Sequence, residues 1–201
     1  ISHTASVTLT ITPPPDFTLA ATPATQSVVT GGSTSFTATA TAQNGFTGAI
    51  GFSVTGLPAG AVGNFSPTTV TDGGATTLNI ATNGAAPGTY PLTISATGNS
   101  INHTASATLT ITPPPDFTLA ATPGTQSAIA GAMTTFTVTA TAQNGFSGVI
   151  GFNVTGLPAG ATSGFNPATV TGGGSSTLTI DTGGAAPGTY PLTITAASGT
   201  L

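Results

Sequence analysis

The sequence predicts an all-β protein made of tandem antiparallel sandwiches, and three observations predict it. Apolar and polar residues alternate with period two along many short runs. Glycine and proline turn signals separate those runs, and no segment shows a 3.6-residue period. The whole pattern is then duplicated: residues 1–100 align with 101–200 without a gap, and 71 of those 100 positions are identical.

The runs are readable one by one. Along residues 33–42, Phe36, Ala38, Ala40 and Ala42 share one face while Ser35, Thr37, Thr39 and Thr41 share the other. The second copy repeats this with Phe136, Val138, Ala140 and Ala142. Ile50, Phe52 and Val54 alternate likewise, as do Leu78 and Ile80, then Tyr90, Leu92, Ile94 and Ala96. A last strand turns Ala105, Ala107, Leu109 and Ile111 inward, and Phe17, Leu19 and Ala21 begin the next module. Turn signals fall between the runs at Gly31-Gly32, Asn44-Gly45, Leu57-Pro58-Ala59-Gly60, Asp72-Gly73-Gly74 and Ala86-Pro87-Gly88. About seven strands per copy, each with one apolar face, make a two-sheet sandwich. Threonine, numbering 46, is expected on the outer faces, where its β-branch favours the strand and its hydroxyl stays hydrated.

The triple prolines set the domain boundaries. Pro13, Pro14 and Pro15, and again Pro113, Pro114 and Pro115, favour extended polyproline II and act as short stiff linkers. Residues 16–112 then form one complete module, with linkers at 13–15 and 113–115. Residues 1–12 read as the last strand of a preceding or neighbouring module, and 116–201 as a module lacking its last strand. That phase fits either a window of a longer array or a subunit whose first strand completes a neighbour.

Composition removes several partners and chemistries. Asp16, Asp72, Asp116 and Asp181 are the only charged side chains, 2% of the chain against about 25% in an average domain. With no Lys or Arg, the chain has nothing to neutralise nucleic-acid phosphates or bind an anionic membrane surface. No apolar run is long enough for a spanning helix, so membrane insertion is not expected. Disorder is not expected either, because the hydrophobic fraction is 38%. Without cysteine there is no disulfide framework.

Together the motifs Asp-Phe-Thr-Leu, Gln-Asn-Gly-Phe, Gly-Leu-Pro-Ala-Gly-Ala and Pro-Gly-Thr-Tyr-Pro-Leu-Thr-Ile resemble the bacterial immunoglobulin-like tandem repeats of large secreted and cell-surface proteins. The resemblance covers both copies. It implies immunoglobulin-like sandwiches and a spacer, stalk or adhesive role at the cell surface, and it brings no catalytic residues. It also places Tyr90 and Tyr190 as the tyrosine corner of each sandwich. The absence of Lys and Arg departs from such repeats.

Candidate chemistry is sparse. His3 and His103 stand one per copy at the start of the last strand, with no second ligand nearby in sequence to build a metal site. Asp16 and Asp116 are expected to cap the turn after the prolines, and too few carboxylates exist for a calcium clamp. No nucleophile elbow or paired-carboxylate arrangement is present, so no enzyme activity and no cofactor are expected. The sequons at Asn64, Asn102 and Asn153 are candidate glycan acceptors. Strand edges without lysine, left to 16 prolines and 28 glycines to blunt, and a nearly uncharged surface favour association with copies of itself. The expected function is therefore a structural segment of an extracellular filament, stalk or giant surface protein, assembled head to tail. Two alternatives stand beside it: an adhesin module binding carbohydrate or a surface through loops 44–48 and 57–64, and a donor-strand-complemented fibre subunit.

Overall fold

The computed structural model describes residues 1–199. Their regular structure is entirely β, in two compact units, Ile1–Pro113 and Pro114–Leu201.

In the first unit the alternating runs become nine strands: β1 (Asp16–Thr22), β2 (Thr25–Val29), β3 (Ser33–Gln43), β4 (Ala49–Thr55), β5 (Val62–Ser66), β6 (Thr69–Thr71), β7 (Gly74–Ala81), β8 (Gly88–Gly98) and β9 (Ile101–Thr112). One sheet has the order β1-β3-β7-β5 and the other β2-β9-β8-β4-β6. Nine strands exceed the expected seven because β6 is a three-residue edge and because the leading run divides. Pro23 has no N–H for the ladder, so pairing with β3 ends at Thr22 and the chain crosses to the other sheet as β2. There β2 runs parallel to β9, the one parallel pairing among the described strands of an otherwise antiparallel sandwich.

The two inner faces close over one core. Phe36, Ala38, Leu78 and Ile80 from one sheet meet Leu92, Ile94, Ala107, Leu109 and Ile111 from the other, all buried. Phe17, Ala40, Phe46, Ile50 and Ala96 fill the far end. At about 25 cal/mol per Å² of apolar surface, this burial is the main stabilising term. Threonine is not confined to the outside, however. Thr76 and Thr82 are buried, and their hydroxyls donate to the carbonyls of Pro67 and Gly32. Each buried hydroxyl has a carbonyl acceptor outside the strands, and Gly32 also takes the Thr82 N–H, which is why a polar side chain is tolerated inside.

Two repeated motifs have clear backbone reasons. Asn44 and Gly45 both have positive φ, and Phe46 N–H bonds the Gln43 carbonyl, a tight turn that suits these residue types. Gly56 has φ +90°, and a Cβ there would lie 2.2 Å from the Pro91 carbonyl oxygen, so only glycine fits the close approach to β8.

The second unit repeats the first sheet as β10 (Asp116–Thr122), β11 (Met133–Gln143), β15 (Gly174–Asp181) and β13 (Thr162–Asn166), ordered β10-β11-β15-β13. Its other sheet has three strands, β14 (Thr169–Thr171), β12 (Val149–Thr155) and β16 (Thr193–Ala197), ordered β14-β12-β16. Among the described residues it holds no counterpart of β2 or β9. Residues 1–15 pair with no sheet and are exposed. Both triple prolines are exposed and outside strands, each tied to its own unit: Asn44 Nδ2 donates to the Pro14 carbonyl and Asn144 Nδ2 to the Pro114 carbonyl.

Candidate functional site

The site follows from what β9 does in the first unit. There it lies between β8 and β2, with Leu109 opposite Tyr90 on one side and Gln26 on the other. Its inward residues Ala107, Leu109 and Ile111 are buried to 3% exposure or less. Further bonds fix its end: Thr30 N–H donates to the Thr112 carbonyl at 2.9 Å and Thr108 N–H to the Ala24 carbonyl at 2.9 Å.

In the second unit the same place is an open groove of about 760 Å³. Phe136, Leu157, Ile180, Leu192 and Ile194 line its apolar floor. Leu192 and Ile194 are half-buried, whereas Leu92 and Ile94 are sealed. Both borders of the groove lose their ladder as well. The strand matching β8 shrinks from eleven residues to the five of β16, and residues 125–129 form no strand. Backbone N–H and C=O groups along both rims are therefore unpaired by any sheet, a combination that suits an incoming strand.

His103 and Asp16 form a second feature, which the sequence placed separately. His103 Nε2 lies 2.7 Å from Asp16 Oδ1, and the imidazole packs edge-on against Phe17 with ring centroids 4.8 Å apart. The His103 hydrogen bond, with help from the Phe17 N–H, holds the Asp16 carboxyl below its ordinary 3.8. In the second unit Asp116 still accepts the Phe117 N–H at 2.7 Å, but no imidazole faces it. Among the described residues His3 makes no hydrogen bond.

All four carboxylates are engaged with backbone. Besides Asp16 and Asp116, Asp72 accepts from Gly48 N–H at 2.7 Å and Asp181 from Gly183 N–H at 2.9 Å. Among the described residues no group of three or more His, Cys, Asp or Glu could hold a metal ion. The sequon asparagines are exposed but sit within strands: Asn64 on β5, Asn102 on β9 and Asn153 on β12. Asn102 Nδ2 also donates to Thr97 Oγ1 at 2.8 Å.

The Tyr90 hydroxyl donates to the Ala86 carbonyl four residues upstream at 2.8 Å, and Tyr190 does the same to Ala186 at 2.9 Å. In both units the bond closes back over the Pro-Gly-Thr turn just upstream of the tyrosine. Lettered in chain order, the first sheet pairs as A-B-E-D and the second as C-F-G, with an added leading strand beside G and a short strand beside C. The sandwich is immunoglobulin-like.

Among solved proteins the chain is similar to fragments of surface-layer, intimin and titin chains. Domains 4 and 5 of the S-layer protein SbsC match with 22% identity and a TM-score of 0.36, over 49% of this chain and 53% of that one. A domain fragment of intimin matches with 14% identity and a TM-score of 0.41, over 92% of this chain and 95% of that one. An I-band fragment of titin matches with 12% identity and a TM-score of 0.39, over 94% of this chain and 66% of that one. No family model matches the sequence, and no curated protein is detectably similar to it.

Proposed function

We propose that this chain is a structural repeat segment of an extracellular filament, stalk or giant surface protein, in which immunoglobulin-like sandwiches serve as beads of a head-to-tail array. One observation carries the reading: the duplicated sequence folds as separate compact units whose every carboxylate is spent on holding its own backbone. A segment built to bind charge or to do acid–base chemistry would hold such groups free in a cleft. What is invested here is the sandwich itself, repeated with its tyrosine corner, its proline tether and its buried hydroxyls.

Mechanical unfolding of the natural protein tests this. Pulling it end to end should give a sawtooth of equal steps, each lengthening the chain by about 30 nm, the extended span of one roughly 100-residue repeat less its folded length. Antibody raised against a folded unit should label the outside of intact cells. Labelling confined to the cell interior, or unfolding without a repeat-length step, refutes the proposal.

A further inference from the structure

We infer that Asn44 and Asn144 are positioning residues for the proline linkers: each fastens the run ahead of its own unit and fixes the one torsion that the prolines leave loose. On the bead-array reading above, which this deepens, those linkers are the joints of the array.

The torsions of residues 113–115 can be followed one by one. Each proline ring fixes φ at about −65°, so only ψ can turn. Pro113 and Pro114 each precede a proline, which confines their ψ to the extended region. Pro115 precedes Asp116 and has no such restriction. Left to itself, ψ of Pro115 is the loose torsion of the linker, with φ of Asp116 beside it.

Hydrogen bonds hold the run at both ends. Upstream, the Thr112 carbonyl accepts from Thr30 N–H at 2.9 Å and from Thr30 Oγ1 at 3.2 Å, which ties the Thr112–Pro113 peptide plane to the first unit. Downstream, Asn144 Nδ2 donates to the Pro114 carbonyl at 3.0 Å, and that carbonyl belongs to the Pro114–Pro115 peptide plane. Asp116 is already paired opposite Gln143, the residue just before Asn144. The amide bond therefore closes a short ring around ψ of Pro115 and pins it. Asn44 makes the same bond to the Pro14 carbonyl at 3.1 Å, beside the pairing of Asp16 with Gln43. What is left to turn between Thr112 and Asp116 is ψ of Pro113 and Pro114, each confined by the ring that follows.

Two demands at one position select asparagine. The turn after β3 and after β11 needs positive φ, 52° at both Asn44 and Asn144, which asparagine adopts more readily than most side chains. The tether needs a side-chain donor, which glycine lacks and an ionised aspartate cannot supply. The Asn-Gly pair that marks a turn in the sequence thus also grips the linker.

Asn144→Gly and Asn144→Asp test this in the 201-residue chain. Both replacements accept positive φ, so the turn stays intact. The Asp116 N–H should have an NMR order parameter of about 0.85 in the wild type and fall toward about 0.6 in both variants. Amide exchange in β11 and β15 should not change, which separates a linker tether from general support of the sandwich. The chain has no cysteine, so Thr37→Cys with Thr137→Cys, both exposed, places one spin label in each unit. The label-to-label distance distribution should broaden in both Asn144 variants. Asn44→Gly, which frees a linker outside the labelled pair, should leave it unchanged. An unchanged distribution in both Asn144 variants overturns the inference, as does an Asp116 amide equally mobile in the wild type. Raised exchange throughout β11 and β15 in both variants also overturns it, because Asn144 would then support the sandwich rather than the linker. Each of these results leaves the bead-array proposal standing, since that is tested by pulling and labelling the natural protein.

Discussion

Asp16 and His103 lie 87 residues apart in sequence and 2.7 Å apart in the structure, across the joint between the first and last strands of the first unit. Each could be read from the sequence as a solitary polar residue at a strand end. The pair exists only once both sheets have closed, so no local pattern announces it. Its consequence has a definite sign. A carboxyl held below its ordinary value contributes stability that is present above that value and is lost as pH falls through the depressed one. The first unit should therefore hold its stability down to the ordinary carboxyl range near 3.8 and lose this contribution below it. Asp16→Asn keeps an oxygen for the Phe17 N–H but removes the charge, and should flatten that acid limb of the first unit. Amide exchange resolved along β1 and β9 between pH 2 and about 6 reads the difference. An unchanged acid limb in Asp16→Asn would mean the pair contributes nothing.

Comparison of the two units shows how far one strand sets the state of its neighbours. Thr25-Gln26-Ser27-Val28-Val29 forms β2, while Thr125-Gln126-Ser127-Ala128-Ile129, the same at three of five positions, forms no strand. Ala128 in place of Val28 lowers strand propensity, and the first segment also has β9 to pair with. The same holds for residues 188–192, which match the start of β8 and stay outside β16. This is why the alternating runs of β3, β4, β7 and β9 were legible in the sequence and β2 was not: their inward faces are written into the residues, whereas β2 depends on a partner 83 residues away. The buried hydroxyls of Thr76 and Thr82 escaped for a related reason, since the carbonyls they satisfy lie in loops whose position only the closed sandwich fixes. A paired substitution measures the coupling. Leu92→Ala, in the sealed core, should cost about 2–5 kcal/mol, the usual range for a buried leucine. Leu192→Ala, on the floor of the open groove, should cost less than half as much in the free chain. Amide exchange in β7 and in β15 reports each unit separately, and equal losses would show that the groove is already closed.

At the scale of the whole molecule the governing fact is the near absence of charge. The duplication was legible in the sequence because it is written residue by residue. The groove of the second unit and its two unpaired walls were not, because they depend on how the sheets close. Net charge is −4 over 201 residues, and no lysine or arginine contributes to any surface. Long-range electrostatics therefore has little to act on, and folding has almost no field to screen. Raising NaCl from 20 to 500 mM shortens the Debye length from roughly 20 Å to about 4 Å. The denaturant midpoint of the first unit should barely move over that range, because Asp16 with His103 is the one ion pair among the described residues. Sodium sulfate, which strengthens apolar burial by exclusion from protein surface, should raise the same midpoint. Denaturant unfolding in the two salts separates these terms, and a steep change with NaCl would place the stability in charges rather than in the buried faces of the sheets.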